Sequence, residues 1–339
     1  QRTERGGAAV RAIAALPALT GSWREPGGGL QLSTSQAFHF NRDALELPEL
    51  QRQSGLGREA RIVNMTELGK ALATLDKPPV NALIVYNSNP AAIAPNQNLV
   101  LRGLARPDLF TVVLEQFQTD TADYADILLP STTFLEHTDL YLAYGHYYLQ
   151  LARPVLAAPG EAKSNVEAFR LLAQRLGFTD PCFHDSEDEM VRALLASDHP
   201  FLKGITLERL EREHFVRLNV STPGEAFLPF ANGGFGTPSG KHEFGADVLD
   251  YRPPIESRLG SAELTARYPL ELISPKNDDS MNSTFGNRPG VDRQTAVLAI
   301  HRADAQPRGI AAGDPVRVFN GRGSCLLTAE IDGAVQPGV

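Results

Sequence analysis

The run NALIVYNSNPAAIAPNQ, residues 81–97, constrains the fold more than any other stretch. Its core, Ala82–Tyr86, is continuously apolar and ends on Asn87, Ser88, Asn89 and Pro90. An apolar run of about five residues predicts a strand covered on both faces, as in parallel sheets. Two similar runs follow at Leu109–Leu114 and Asp126–Pro130. Between them, NQNLVLRGLA reads as a helix that Pro107 keeps from continuing. TDTADYA reads as a short helix with Thr119 as its N-cap. Upstream, EARIVNM is a further strand candidate, followed by TELGKALATL with Thr66 as N-cap. Strand and helix alternating over short connections predict an α/β fold with a parallel, doubly wound, Rossmann-like sheet.

In such a sheet, ligands sit beyond the carboxyl ends of the strands. Asn87, Ser88, Asn89 and Pro90 follow the first strand, Glu115, Gln116 and Thr119 the second, and Pro130 and Ser131 the third. A carboxylate there suits the N–H donors of a purine or pterin ring, and amides suit a pyrophosphate. The plainer alternative is that Asn and Ser form turns and Thr119 caps a helix. Agreement at two strand tips favours the ligand.

The rest of the chain is less regular. AAVRAIAALPAL reads as a helix halted near Pro17, and the glycine run after it as a plain loop. Ser164 and Glu167, then Ser186 and Glu189, have capping-box spacing, and Gly177 suits a helix stop. Proline and glycine are dense over 222–254, with a boundary expected near 255–267. YPLELIS reads as a strand, and PVRVFNGRGSCLLTAEI as a hairpin turning at Asn320 and Gly321. GHYY at Gly145–Tyr148 reads as a packed strand. Together these give residues 1–59 as the end of an α/β segment and 60–180 as the cofactor-binding α/β domain. Residues 181–264 form a loop-rich connection, and 265–339 an incomplete, six-stranded-type β-barrel.

Composition excludes several classes. A net charge of −8 argues against a nucleic-acid partner, and no apolar run suits a membrane helix. Two distant cysteines, Cys182 and Cys325, offer no iron–sulfur ligand set and fit a reducing, cytoplasmic setting. His137, Asp139 and His146 lack metal-ligand spacing. No nucleophile elbow is present, which argues against a hydrolase. We therefore assign no catalytic and no metal-ligating residue. The opening QRTERGG and the closing AEIDGAVQPGV lead us to expect a piece of a longer protein.

LIVYNSNPAAIAPNQ, LFTVVLEQFQTDTADYADILLPSTTFLEHTD, APGEAKSNVEAFRLLAQRLGF and TPSGKHEF resemble molybdopterin oxidoreductases of the dimethyl sulfoxide reductase type. So does LELISPKNDDSMNSTFGN with the AIHRADAQPRGIAAGDPVRVFNGRG that follows. The resemblance covers nearly the whole chain, in the family's order. It implies molybdenum or tungsten held between two molybdopterin guanine dinucleotides. It sets Asn87 and Asn89 beside one dinucleotide, and Glu115, with Gln116 next to it, where relatives carry an Asp that binds guanine. His137 stands for a Lys near the nucleotide, and Asn165 for an Asp. Ser274, Lys276, Asn282, Ser283 and Thr284 match the stretch that crosses the pterin.

The departures matter as much. The family's iron–sulfur segment, with its [4Fe-4S] cluster, and its metal-ligating residue would lie upstream of anything here. The resemblance thus implies as partners an N-terminal part of the same enzyme and an electron-transfer protein. Alone, the segment is expected to hold no cofactor and to catalyse nothing. The alternative is a non-catalytic domain of the same fold that binds a nucleotide or another subunit.

Overall fold

A computed structural model of the chain describes residues 4–58, 60–245, 251–275, 281–286, 288–291 and 295–339. Helices α1 (Gly6–Thr20), α2 (Asp43–Glu46), α3 (Pro48–Gln53) and α4 (Leu68–Thr74) precede strand β1 (Ala82–Tyr86). Then come α5 (Pro90–Ile93), α6 (Gln97–Leu104), β2 (Phe110–Glu115), β3 (Ile127–Pro130), β4 (Asp139–Tyr141) and β5 (Tyr148–Ala152). Helices α7 (Asn165–Leu176), α8 (Glu187–Leu195) and α9 (Leu207–Glu213) lead to β6 (Phe215–Arg217). The order closes with α10 (Ala262–Arg267), β7 (Val297–Ile300), β8 (Pro315–Asn320) and β9 (Gly323–Ile331). The chain forms two compact units, each assembled from three separated stretches.

The unit of Arg61–Ser131, Glu161–Asn165 and Pro253–Val339 carries the predicted parallel sheet, in the order β1-β2-β3. Leu83 pairs with Thr111, and Val85 with Val113, which pairs in turn with Leu128. Under one face lie Val85, Val113 and Ala122. Leu72, Ala91, Val100, Leu104 and Leu109 form the neighbouring core, where α4 packs on α6. That crossing is close because two glycines make it so. A Cβ on Gly69 would lie 2.8 Å from the Val100 backbone N, and one on Gly103 2.6 Å from Leu72 Cβ.

The expectation of burial on both faces holds only in part. Ile84, Tyr86, Ile127 and Leu129 share the opposite face and stay 40–49% exposed, while Leu114 of the central strand, between Tyr86 and Leu129, is buried. Continuous apolarity measures what a strand tolerates on its two faces, not how far each is covered.

Within EARIVNM, residues 60–65 form no strand. Ile62 is 93% exposed, and no ladder partner lies beside it. The cap is Asn64, whose Oδ1 accepts from the Thr66 N–H at 3.0 Å and from its hydroxyl at 2.8 Å. YPLELIS also has no ladder. Its Glu271 N–H donates to the Gly338 carbonyl at 2.9 Å. β9 lies between β7, to which it is parallel, and β8, to which it is antiparallel. The hairpin turns at Gly321 and Arg322, one residue later than predicted, because Asn320 still pairs with Gly323. The Asn320 Oδ1 accepts from the N–H groups of both Arg322 and Gly323 and holds the turn. The Arg322 carbonyl accepts from the Asn98 N–H at 2.9 Å, satisfying a first-turn donor of α6.

The other unit joins Gln1–Ala60, Thr132–Gly160 and Val166–Arg252 around the antiparallel sheet β4-β5-β6. Leu149 and Leu210 are fully buried at its centre, among Phe38, Leu202, Leu207, Val216 and Leu218. Arg153, just past β5, donates to Asp188 in the first turn of α8 at 2.5 Å and to Glu211 of α9. Ser186 and Glu189 form the expected capping box. Gly177 takes the left-handed conformation at φ 79°, and the Phe178 N–H reaches back to the Ala173 carbonyl. α1 runs through Pro17 to Thr20. The missing proline N–H leaves the Ile13 carbonyl without its helical donor, while the Thr20 hydroxyl serves the Leu16 carbonyl at 3.0 Å. Of GHYY, only Tyr148 lies in a strand. Residues 222–245 carry no helix or strand, as their proline and glycine content predicts.

His39 and His199 stack in this unit, ring centroids 3.6 Å apart, with the Phe201 ring against both. Burial, and then the neighbouring imidazole, hold His39 below its ordinary pKa. The folded state therefore binds protons less readily than the unfolded chain. Its full contribution holds above the unfolded pKa of about 6.5 and is lost as pH falls below it. Denaturant midpoints measured at pH 7.5 and 5.5 should drop more in the wild type than in His39→Gln.

Candidate functional site

The carboxyl edge of β1-β2-β3 gathers most of the predicted residues. Asn87 follows β1 at φ 53°, a conformation asparagine tolerates better than most residues. Its exposed Oδ1 accepts from the Asn165 Nδ2 at 2.9 Å. The Ser131 hydroxyl, beyond β3, reaches the Asn165 Oδ1 at 3.5 Å. Asn165 arrives here because residues 161–165 cross the β3 tip. There the Lys163 N–H donates to the Pro130 carbonyl at 3.1 Å, and Lys163 forms a parallel bridge with Ser131. One amide pair and one hydroxyl thus link three separated stretches of chain at a single edge.

Glu115 ends β2 and is half-buried. Its carbonyl accepts from the Ser131 N–H at 3.1 Å, and its Oε1 from the Gln116 N–H at 2.8 Å. Oε2 has no partner among the described residues. A carboxylate held at one oxygen and open at the other can accept from a paired N–H edge. Gln116 is exposed next to it. This donor and acceptor set fits a purine base: an anchored carboxylate at one strand tip and exposed amides at two.

Asn89 differs from its neighbours. It is 6% exposed, and its Oδ1 accepts from both the N–H and the hydroxyl of Thr121, at 3.1 and 2.7 Å. Its Nδ2 donates to the Asp120 Oδ2 at 2.9 Å. Thr119 takes the plainer role: its hydroxyl accepts from the Ala122 N–H at 3.4 Å and its carbonyl from the Asp123 N–H. Asp120 and Thr121 went unassigned in the sequence. The run TDT offers three polar residues in a row, and only its place over α5 decides which one turns inward.

The remaining predicted residues are not joined to this edge by any described hydrogen bond. Ser274 is exposed. Asn282, at φ 57°, and Ser283 sit inside a turn closed by the Thr284 N–H on the Met281 carbonyl at 3.0 Å. Lys276 lies outside the described residues. His137 belongs to the other unit, where its Nδ1 pairs with the buried Thr132 hydroxyl at 2.8 Å. Among the described residues, no three His, Cys, Asp or Glu side chains gather as a metal site, and no helix is long and apolar enough to cross a membrane.

Comparison with known proteins accords with this geometry. Residues 1–175 match the family model described as molybdopterin oxidoreductase. Residues 270–339 match the molydopterin dinucleotide binding domain. The chain is 40% identical to the probable oxidoreductase YoaE of Bacillus subtilis (strain 168), over 100% of this chain and 49% of that protein. It is 28% identical to the dimethyl sulfoxide/trimethylamine N-oxide reductase of Cereibacter sphaeroides, over 100% and 47%. Among solved structures, acetylene hydratase from Pelobacter acetylenicus superimposes with a TM-score of 0.63 at 26% identity, covering 89% of this chain and 43% of that one. The chain thus spans about half the length of the curated relatives it matches. The architecture, a mixed α/β fold with one parallel and two further three-stranded sheets among the described residues, agrees with that superposition. On the match over residues 1–175, the chain belongs to the molybdopterin oxidoreductase family.

Proposed function

We propose that this chain is the cofactor-embracing part of a bis-molybdopterin guanine dinucleotide oxidoreductase, and that the edge of β1-β2-β3 receives the guanine end of one dinucleotide. The observation that carries it is Glu115, whose Oε1 is pinned by the Gln116 N–H while Oε2 stays open. Glu115 accepts from the guanine edge, and Gln116 lies beside the base. Asn87 and Asn165, tied to each other, line the approach to the β1 tip. When bound, the molybdenum or tungsten centre supplies two-electron chemistry such as oxygen-atom transfer. The chain's own residues bind and orient.

The same reading takes the parallel sheet as the Rossmann-like core of a domain over 60–180. It takes β7-β9-β8 as part of the barrel over 265–339, whose Ser274, Lys276 and Asn282–Thr284 stretch passes the pterin. A [4Fe-4S] cluster and an electron-transfer partner belong to the rest of the enzyme. Two free cysteines suit a reducing, cytoplasmic setting.

Glu115→Ala in the full-length enzyme tests the reading. A hydrogen bond to a charged group contributes about 1.5–3 kcal/mol, so guanine nucleotide and molybdenum per chain should fall about tenfold or more. A normally folded variant with unchanged cofactor content would leave Glu115 as a turn residue only.

A further inference from the structure

We infer that Asn89 and Thr121 are positioning residues, a buried clamp that locks the turn after β1 to the turn after β2 and never touches the ligand. The inference rests on the cofactor reading above and assigns Asn89 a role different from its neighbours'. The side chain of Asn89 offers an oxygen with two acceptor sites and an NH₂ with two donors. The oxygen is filled twice by Thr121, and the nitrogen is engaged by Asp120. Thr121 is 0% exposed, and its hydroxyl oxygen also accepts from the Ala91 N–H at 3.0 Å. That N–H is one of the free first-turn donors of α5, and Thr121 takes it. The helix start is therefore closed to a phosphate, and ligand contact falls to Asn87, Glu115 and Gln116.

The clamp bridges residues about thirty apart in sequence, and three of its four hydrogen bonds link Asn89 or Ala91 to Thr121. Breaking it frees one strand-tip turn to move without the other. Asn87 and Glu115 then no longer present their oxygens at a fixed spacing.

The experiment uses the full-length enzyme and measures molybdenum and guanine nucleotide per chain after gel filtration. Thr121→Val keeps the shape and removes the hydroxyl, and content should fall about tenfold because buried partners lose their bonds. Thr121→Ser restores the hydroxyl and should stay within about twofold of the wild type. Val113→Ala thins the core under the same sheet; it should lower the melting temperature yet keep the cofactor. Asp120→Ala removes only the exposed end of the clamp, and about a threefold loss is expected. If Thr121→Val does not fold, Asp120→Ala decides alone: a loss supports the clamp, and full content overturns it. Full content in Thr121→Val, equal loss in Thr121→Ser, or equal loss in Val113→Ala each overturns it. A wild-type enzyme without molybdopterin overturns the cofactor reading itself, a result distinct from all of these.

Discussion

Leu210→Ala should lower the unfolding free energy of the β4-β5-β6 unit by about 2–5 kcal/mol, the range for emptying a fully buried leucine site. Leu210 has no exposed surface and sits among Leu149, Leu202, Leu207, Val216 and Leu218. The lost transfer energy is only part of the cost. The surrounding leucines belong to a strand, a helix and the turns between them, so they close poorly over the void. Urea unfolding followed by tryptophan fluorescence checks this, since Trp23, the single tryptophan, lies in the same unit. A shift in midpoint corresponding to under about 1 kcal/mol would mean that the site collapses freely.

Gly69→Val should cost about 3 kcal/mol, the upper part of the overpacking range. The first added carbon already lies 2.8 Å from the Val100 backbone N and 2.9 Å from Leu99 Cβ. A flexible side chain could swing aside, but a helix backbone has to translate. Two effects compete. Replacing a helical glycine gains up to about 1 kcal/mol of propensity, and less for a β-branched residue. The clash exceeds that gain, so the sign is a loss. Moving α6 also disturbs the Asn98 N–H bond to Arg322, so amides of the β8-β9 hairpin should exchange faster in the variant. A melting temperature equal to the wild type's would show that α4 and α6 separate at little cost.

Parts of this fold are legible in the sequence for a physical reason. β1, β2 and β3 lie within a residue of the three apolar runs, because the helical turns between them supply the crossover that a parallel pair needs. EARIVNM and YPLELIS also carry β-branched or aromatic residues and fail, since a strand exists only beside a partner and a partner is not written locally. Exposure of Ile84 and Ile127 was invisible for the same reason: apolarity shows that a face can be buried, not that something lies on it. At the site, composition marked every polar strand-tip residue alike. Burial then separates them. Glu115 keeps an open oxygen, whereas Asn89 is consumed by Thr121. Which threonine of TDT turns inward depends on where α5 presents its free N–H, and that is a property of three dimensions.

The interleaving of the two units sets an order of events during synthesis. The unit on β4-β5-β6 has its last segment in hand once Arg252 leaves the ribosome. The unit on β1-β2-β3 starts at Arg61 and waits for Pro253–Val339 before its hairpin can dock on α6. Through that interval the parallel sheet exists without its final segment. Its half-exposed Ile84, Tyr86, Ile127 and Leu129 are then a surface for holdase chaperones to shield. The same interleaving forbids dissection: no single stretch of coding sequence specifies either unit, so neither can be expressed as one uninterrupted segment without part of the other.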